Sequence, residues 1–194
     1  MVGLILAGGQ GTRLGREKTG LRLGRETLLE RAVRRVRPLF SRVLVSVAGD
    51  TALDLPGVAV VADAYPGRSA LVGLASGLKA AGEAVFVLAV DMPFLNPDLI
   101  RYMADLAPGG DAVVPRVKDY LEPLHAVYQP RCLAFMEELI RAGEHQIFQF
   151  YHRVNIRWVE EDELRRLDPE GLAFFNINTP DDLRRAEELI KQGK

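Results

Sequence analysis

The stretch from Leu4 to Leu21 reads LILAGGQGTRLGREKTGL, and it is the segment from which the fold can be predicted. It begins inside a short apolar run, Val2 to Ala7, which stops at two successive glycines. Such a run is typical of a buried strand in a parallel sheet, because both faces of that strand are covered. Residues 8–15 form a glycine-rich loop, so the backbone after the predicted strand can approach a ligand closely.

Beyond this loop, strand and helix patterns alternate along the first 115 residues. Helical spacing predicts a helix at 27–40, and a high content of small residues predicts one at 69–81. Asn96 as N-cap and Pro97 as first helical residue predict a third helix that ends near 106. Short apolar runs predict strands at 42–48, 58–62, 84–90 and 111–115. This alternation indicates right-handed crossovers and an α/β fold of three layers, with a mostly parallel central sheet covered on both faces. Sheets of this kind bind ligands at the carboxyl ends of their strands.

The last third of the chain has a less regular pattern. It predicts strands at 124–128, 154–159 and 174–177, and helices at 131–142 and 146–152. Thr179 and Pro180 are a typical N-cap and first helical residue, so we expect a final helix to begin at Pro180.

Composition and charge exclude several classes of protein. The 25 Lys and Arg residues balance 26 Asp and Glu residues, so the chain lacks the excess of positive charge that nucleic-acid binding needs. No basic segment precedes the apolar start, and no run reaches the roughly 20 apolar residues that cross a bilayer. Cys132 is the single cysteine, which excludes an intramolecular disulfide and a cysteine-rich metal site. We therefore expect a cytoplasmic protein with no membrane or nucleic-acid partner.

The glycine-rich loop matches neither of two common phosphate-binding motifs. A P-loop needs glycine directly before the lysine, but Glu17 precedes Lys18 here. The dinucleotide fingerprint needs a third glycine where this chain has Leu14. The loop does place dense glycines beside two cations, Arg13 and Lys18, and this combination favours binding of a di- or triphosphate. An ordinary glycine turn with two surface cations is the alternative.

Two carboxylates follow predicted strands at the same edge of the predicted sheet. Asp63 comes directly after 58–62, and Asp91 directly after 84–90. A carboxylate after a fully apolar strand suits Mg²⁺, which binds one or two protein carboxylates together with phosphates and water. For each aspartate, capping of a turn or helix is the alternative role.

The loop resembles the N-terminal signature L-A-G-G-x-G-x-R-x-G-x-x-K of the compact nucleotidyltransferases. The matching residues are Leu6, Ala7, Gly8, Gly9, Gly11, Arg13, Gly15 and Lys18. Within this superfamily the chain resembles the molybdenum cofactor guanylyltransferases, which join GMP from GTP to molybdopterin. Gly8-Gly9 favours this branch over the cytidylyl-using relatives, which usually read L-A-A-G. Sugar-nucleotide relatives usually carry an extra stretch ending in Pro-Lys, and this chain has Glu17-Lys18 with no insertion.

The resemblance implies a three-layer nucleotidyltransferase fold and a role for each residue of the site. The implied GTP-binding residues are Leu6, Ala7, Gly8, Gly9, Gly11, Arg13, Lys18, Asp63 and Asp91. Arg13, Lys18 and Asp91 are the implied catalytic residues, and Mg²⁺ is the implied cofactor. Residues 176–180 resemble the family motif N-x-N-T-P, so Asn178 is implied as a second metal ligand beside Asp91. Capping of the last helix is the alternative for both asparagines of this motif.

The resemblance also implies how the chain is organised and what it binds. Residues 122–128 resemble the family segment x-P-L-x-A-x-Y, and the neighbourhood of Gly143 resembles a loop that faces the pterin substrate. We expect a single domain over 1–194, with a nucleotide-binding half at 1–115 and an acceptor-binding half at 116–194. GTP and molybdopterin are the expected substrates, and transient contact with other cofactor-biosynthesis proteins or acceptor enzymes is expected.

Other functions remain open on the sequence alone. One is a cytidylyltransferase or sugar-phosphate nucleotidyltransferase on the same fold, and another is a non-catalytic nucleotide-binding protein. Two departures from the family pattern affect the nucleoside contacts. The family often has G-P-L-A-G where this chain has residues 69–73, SALVG, and it often has Asn where this chain has Ser46.

Several conspicuous side chains are interpreted as structural. The arginines at 31, 34, 35 and 37 are expected on a solvated helix face. His145 and His152 are expected to be surface or structural residues, and Trp158 is expected in the core or on an edge strand. His125 is interpreted as a residue lining the pocket. The three histidines lack the spacing of metal ligands, and no local motif suggests a Ser-His-Asp site.

Overall fold

A computed structural model of the chain describes residues 1–8, 20–47 and 55–194. Four of the predicted phosphate-binding residues, Gly9, Gly11, Arg13 and Lys18, lie outside the described residues. The strand that precedes them and the carboxylates that follow later strands lie within the described ranges, so the rest of the predicted site can be located.

Ten strands occur in the described part of the chain. They are β1 (Val2–Leu6), β2 (Arg22–Leu23), β3 (Glu26–Thr27), β4 (Val43–Val47), β5 (Ala59–Ala62), β6 (Val85–Ala89), β7 (Ala112–Val117), β8 (Tyr120–Leu121), β9 (His125–Tyr128) and β10 (Ile156–Val159). The short strands β2 and β3 pair with each other. The remaining strands form one sheet in the order β10-β7-β9-β6-β1-β4-β5, with β8 paired to β7.

The large sheet is mostly parallel, which confirms the predicted fold class. Strand β1 lies at the centre and pairs in parallel with β4 and β6, and β5 continues this parallel group. Strand β9 is antiparallel and lies between β6 and β7, and β10 pairs in parallel with β7. As a result, β1, β4, β5, β6, β7 and β10 all end at one edge of the sheet, which we call the carboxyl edge.

Six α-helices occur in the described residues. They are α1 (Leu28–Val36), α2 (Ala70–Ala81), α3 (Pro97–Leu106), α4 (Leu133–Arg141), α5 (Glu161–Leu167) and α6 (Pro180–Lys191). Their starts follow capping rules that the sequence reveals. Asn96 accepts hydrogen bonds from the backbone of Asp98 and Leu99 at the start of α3, and the Thr179 hydroxyl accepts one from Asp182 at the start of α6. The predicted helix starts at Pro97 and Pro180 are therefore confirmed.

Two apolar clusters cover the two faces of the sheet and produce the three layers. One cluster joins the sheet to α1, α3, α5 and α6, and the other joins it to α2 and α4. Strand β1 shows the alternation, because Ile5 belongs to the first cluster and Leu4 and Leu6 to the second. Both faces of β1 are thus buried, which explains why its sequence is apolar without interruption.

Close approach of α2 to the sheet depends on glycine. A Cβ atom at Gly77 would lie 2.4 Å from both methyl carbons of Leu4, and Leu4 is fully buried. A Cβ atom at Gly73 would lie 3.0 Å from the Ser46 hydroxyl oxygen. The small residues of α2 therefore let the helix pack directly on β1 and β4, beside the position where these strands end.

The structure corrects part of the predicted secondary structure. Residues 174–177 do not form a strand, because the chain there leaves a 3₁₀ helix at Leu172–Phe174 and continues without a sheet partner. Residues 146–152 are helical as predicted, but the helix is a 3₁₀ helix at Ile147–Arg153. The sequence patterns also did not predict α5 and the β2–β3 hairpin.

Gly143 follows the end of α4 and has a φ of 76°. The backbone N–H groups of Gly143 and Glu144 donate to the carbonyls of Ile140 and Leu139, so the residues after α4 satisfy the last carbonyls of that helix.

Candidate functional site

The end of β1 lies between two neighbouring strands at the carboxyl edge. The backbone N–H of Ala7 donates to the Ser46 carbonyl on one side at 2.8 Å. On the other side, the N–H of Val90 donates to the Leu6 carbonyl at 3.1 Å. The predicted GTP-binding residues Leu6 and Ala7 are therefore fixed between β4 and β6, and Gly8 follows as an exposed residue.

Asp63 directly follows β5 and is held by the neighbouring strand β4. Its carboxylate accepts a hydrogen bond from the hydroxyl of Ser46, a buried side chain. Burial raises the pKa of Asp63, while the charge of Arg68 and this hydrogen bond lower it. The next backbone N–H, of Ala64, donates to the Ser76 hydroxyl on α2 at 2.8 Å. Ser46, a departure from the family pattern, is thus one of the two side chains that favour the charged form of Asp63.

Asp91 follows β6 and is connected to the segment that contains Asn178. The backbone N–H of Ile177 donates to the Asp91 carbonyl at 2.9 Å, which brings the next residue, Asn178, beside Asp91. The backbone N–H of Asn178 donates in turn to the Asp182 carboxylate at 3.0 Å. Two residues that are 87 positions apart in sequence, as their numbers show, are therefore neighbours in the fold.

Two arginines of α1 hold the chain that follows Asp91. The Arg31 guanidinium donates to the Pro93 carbonyl at 2.9 Å, and that of Arg35 donates to the Leu95 carbonyl at 2.8 Å. Arg31 is buried and also donates to Glu26 at 3.0 Å, and burial lowers the pKa of Arg35. The prediction of a solvated arginine face is wrong for these two residues, because their donors reach carbonyls of the loop. The (i, i+4) spacing of Arg31 and Arg35, beside the apolar stripe of the helix, is the sequence feature that could have indicated this role.

The buried carboxylate of Asp168 fixes the chain segment that leads to Asn178. It accepts hydrogen bonds from the backbone N–H groups of Ala173 at 2.8 Å and Leu172 at 3.3 Å, so it fixes the 3₁₀ helix. The Asn176 side chain donates to the Phe174 carbonyl at 3.0 Å, at the end of the same helix. Nothing in the local sequence around Asp168 indicates this role, since its partners follow it in a turn.

His125 is a core residue, so its interpretation as a pocket-lining residue is wrong. Its side chain is fully buried at the start of β9, where its ring contacts the rings of Phe86 and Phe174 edge to face. Neither ring nitrogen has a hydrogen-bond partner among the described residues. Burial lowers the pKa of His125 to about 4, and the ring is therefore neutral at pH 7. The other interpretations hold, with His145 and His152 exposed and Trp158 on the edge strand β10.

Glu122 is a half-buried carboxylate at the same edge, three residues before His125. Its backbone N–H donates to the Pro115 carbonyl at 3.0 Å, at the end of β7. Burial alone raises the pKa of Glu122 to about 7. The sequence comparison placed Glu122 only at a variable position of a family segment, so its burial is information that the structure adds.

The structure thus brings together six of the predicted site residues. They are Leu6, Ala7, Gly8, Asp63, Asp91 and Asn178, and each ends a strand of the sheet, follows one, or lies beside Asp91 at the carboxyl edge. Hydrogen bonds connect these positions along the edge through Ser46 and Val90. The arrangement can bind a ligand that reaches across several strand ends, as nucleotides do in α/β sheets.

The donor set at Asp91 fits a hard divalent cation. A carboxylate and an amide oxygen are ligands that Mg²⁺ accepts, and Mg²⁺ commonly keeps water or phosphate oxygens for its remaining positions. Among residues 1–8, 20–47 and 55–194, no three His, Cys, Asp or Glu side chains are grouped as a metal site. A metal at Asp91 can complete its coordination with water or with phosphate oxygens of a substrate. None of the described helices combines the length and apolar composition needed to cross a membrane.

Comparison with known proteins agrees with this geometry. The family model for the MobA-like NTP transferase domain matches residues 3–156. A protein of Pelotomaculum thermopropionicum named probable molybdenum cofactor guanylyltransferase is 38% identical over 193 residues, which is 99% of this chain and 94% of that protein. The molybdenum cofactor guanylyltransferase of Desulfosudis oleivorans is 35% identical over 199 residues, covering 100% of this chain and 98% of that protein.

A solved structure supports the same assignment. The crystal structure of molybdopterin-guanine dinucleotide biosynthesis protein A from Archaeoglobus fulgidus superposes with a TM-score of 0.88 at 30% identity. The match covers 99% of this chain and 100% of that one. With the family model, the relatives and the carboxyl-edge site in agreement, the chain belongs to the MobA-like NTP transferases and, among them, to the molybdenum cofactor guanylyltransferases, a family of nucleotidyltransferases.

Proposed function

We propose that this chain transfers GMP from GTP to the phosphate of molybdopterin, releasing pyrophosphate and forming the guanine dinucleotide cofactor. The observation that carries the proposal is the row of site residues at the carboxyl edge. It runs from Asp63 through Leu6 and Ala7 to Asp91 and Asn178 in a chain whose relatives are named guanylyltransferases. The row crosses the ends of four neighbouring strands, β5, β4, β1 and β6, which is where α/β sheets bind nucleotides.

The reaction requires positioning and charge neutralisation more than covalent catalysis. A phosphate oxygen of the acceptor forms a bond to the α-phosphorus of GTP. The bond from this phosphorus to the bridging oxygen breaks, and pyrophosphate leaves with that electron pair. No protein nucleophile is needed, because the acceptor already carries an ionised phosphate.

The loop residues are proposed to bind the phosphates. Backbone N–H groups of residues 8–11, the Arg13 guanidinium and the Lys18 ammonium would hold the β- and γ-phosphates and neutralise the leaving group. These roles follow from residue chemistry and from the family signature, since the loop lies outside the described residues. Lys18→Ala is expected to weaken transfer strongly.

The residues at the carboxyl edge are proposed to bind the nucleoside and the metal ion. Asp63, which accepts a hydrogen bond from Ser46, would help to bind the guanosine. Asp91 and Asn178 would hold Mg²⁺, whose charge polarises the phosphate groups. The structure supports this pair because Ile177 joins the two residues through the hydrogen bond to the Asp91 carbonyl. A cytoplasmic location and transient contact with acceptor enzymes complete the proposal.

The experiment that tests this function is incubation with GTP, molybdopterin and Mg²⁺, with pyrophosphate release as the readout. We expect release that depends on both substrates, and a parallel reaction with CTP should be much slower. Preference for CTP would replace the guanylyl assignment with a cytidylyl one. Nucleotide binding without any pyrophosphate release from GTP, CTP or another nucleoside triphosphate would favour a non-catalytic binding protein.

A further inference from the structure

A short hairpin extends the end of β7, in the part of the carboxyl edge beside β6 and β9 that we call the acceptor side. Strands β7 and β8 are joined by Lys118 and Asp119, and Lys118 adopts a left-handed φ of 56°. Tyr120 pairs with Val117 in this hairpin, and the Glu122 N–H continues the ladder by donating to Pro115. Because side chains alternate along a strand, those of Tyr120 and Glu122 leave the hairpin on the same face.

The hairpin lies on the opposite side of Asp91 from Asp63. The Ala89 N–H donates to the Leu124 carbonyl at 3.1 Å, so the turn that contains Glu122 is attached directly to the end of β6. In the sheet order, β9 and β7 continue from β6 in one direction, whereas β1, β4 and β5 continue in the other. A ligand beside Glu122 would therefore meet Asp91 from the side that the nucleoside does not use.

Glu122 and Tyr120 have surroundings that the fold itself does not explain. Within the described ranges, no side chain pairs with the half-buried Glu122 carboxylate, and burial is the sole cause of its raised pKa. A carboxylate in this state weakens the fold, since its charged form loses water without gaining a partner. The Tyr120 side chain is 74% exposed, which is unusual for a large aromatic ring. Both features are typical of groups whose partner is a ligand.

We propose that Glu122 and Tyr120 recognise the flat bicyclic ring of a pterin acceptor. The Glu122 carboxylate accepts hydrogen bonds from the 2-amino group and the adjacent ring N–H of the aminopyrimidinone edge, and the Tyr120 ring stacks on the ring face. Two parallel N–H donors match the two oxygens of a carboxylate, and this geometry gives both strength and specificity. The inference rests on the proposed function, because that function supplies the pterin.

Guanine carries the same aminopyrimidinone edge, so GTP is the other possible source of this ligand. Position favours the pterin, because Glu122 lies across β6 from the Asp63 side of the sheet. The two sources make different predictions for kinetics, since the concentration of each substrate can be varied separately.

The test compares Glu122→Gln, Tyr120→Ala and Tyr120→Phe with wild type at pH 8. Glu187→Gln, on the exposed surface of α6, is the matched control for loss of one charge. We expect Glu122→Gln to raise the KM for molybdopterin about tenfold or more, because the amide of Gln offers one acceptor and opposes the second donor. Tyr120→Ala should raise it about threefold or more, whereas Tyr120→Phe keeps the ring and stays near wild type. The KM for GTP should stay within about twofold throughout.

A stability measurement separates recognition from misfolding. Glu122→Gln removes a buried unpaired charge, so its melting temperature at pH 8 should rise by about 2 °C or more while acceptor binding is lost. An unchanged KM for molybdopterin in Glu122→Gln would overturn the proposal. A raised KM for GTP with an unchanged KM for molybdopterin would also overturn it, and would assign Glu122 to guanine.

A binding assay keeps this inference separate from the proposed function. Fluorescence titration with 6-hydroxymethylpterin, a simple pterin without phosphate, needs no catalytic turnover. Binding to wild type that is lost in Glu122→Gln but kept in Glu187→Gln supports the site, even if wild type releases no pyrophosphate. Equal binding to wild type and Glu122→Gln, or no binding to either, contradicts it.

Discussion

At one end of the carboxyl edge, where β1, β4 and β5 finish, polar groups are satisfied by protein partners. The Asp63 carboxylate has the Ser46 hydroxyl, and the backbone of Ala7 has the Ser46 carbonyl. At the other end, Glu122 lies in the turn before β9 and His125 is the first residue of β9, and among the described residues neither side chain has a hydrogen-bond partner. The nucleotide side is therefore preorganised by protein partners, whereas we propose that the Glu122 carboxylate gains its partner from the acceptor substrate.

Asp91 lies between the two sides, and its loss should have the largest effect. Asp91→Ala removes the proposed carboxylate for Mg²⁺, so we expect the rate of pyrophosphate release to fall on the order of 10³-fold with the fold intact. Asp105→Ala, which removes an exposed aspartate from α3, is the control. Near-normal turnover of Asp91→Ala would contradict the assignment of Asp91 as a metal ligand.

The titration of His125 and Glu122 should make the free energy of unfolding depend on pH. His125 has a folded pKa of about 4, below the usual 6.5, so the stability it contributes is present above pH 6.5 and is lost as pH falls. Glu122 has a folded pKa of about 7, above the usual 4.5, so its contribution is largest below pH 4.5 and is lost as pH rises. Between pH 4.5 and 6.5 the two contributions oppose each other.

Removing either titratable group should therefore reveal the pH dependence of stability that the other group causes. On moving from pH 7.5 to pH 5, His125→Leu should become more stable and Glu122→Gln less stable, each by about 1–2 kcal/mol relative to wild type. Urea unfolding at both pH values measures the difference. Parallel pH dependence in all three proteins would mean that the burial of these groups has no consequence for folding.

Asp168 should connect stability to catalysis on the Asp91 side. Asp168→Ala leaves the N–H groups of Leu172 and Ala173 without their acceptor, which should lower the free energy of unfolding by roughly 1–3 kcal/mol. We also expect kcat to fall about tenfold and the Mg²⁺ concentration at half-maximal rate to rise, because Asn178 is no longer held beside Asp91. Asp168→Asn keeps one acceptor and should recover part of both. A loss of stability without a change in Mg²⁺ dependence would restrict Asp168 to a structural role.

Ser46 should give the smallest effect, confined to the nucleotide side. Ser46→Ala removes the donor to Asp63, so the KM for GTP should rise about threefold while the KM for molybdopterin is unchanged. Gly73 lies opposite this hydroxyl, and the smaller alanine at 46 fits without a clash. A larger increase in the KM for molybdopterin than in the KM for GTP would contradict the assignment of Ser46 and Asp63 to the nucleotide.

Much of the fold could be predicted from the sequence because its strands are buried on both faces and its helices have strong caps. The runs that became β1 and β6 are uninterrupted apolar segments, that of β4 is interrupted only by Ser46, and Thr179 caps α6 where the capping pattern indicates. The positions of Asp63 and Asp91 followed from one topological rule, since both come directly after parallel strands.

The parts that could not be predicted depend on long-range partners. Arg31 and Arg35 look like exposed helix residues until the loop carbonyls after Asp91 are in place, and Asp168 has no local signature. The apolar residues at 174–177 resemble a strand in sequence, but a preceding 3₁₀ helix fixes their direction. The burial of Glu122 and His125 is likewise a property of the assembled sheet.

The most direct test is steady-state pyrophosphate release in wild type, Ser46→Ala and Glu122→Gln, with GTP and molybdopterin varied independently. We predict an active wild type in which Ser46→Ala raises only the KM for GTP and Glu122→Gln raises only the KM for molybdopterin. Absence of pyrophosphate release by wild type, or a change in the KM of the same substrate in both variants, would contradict the proposed division of the site.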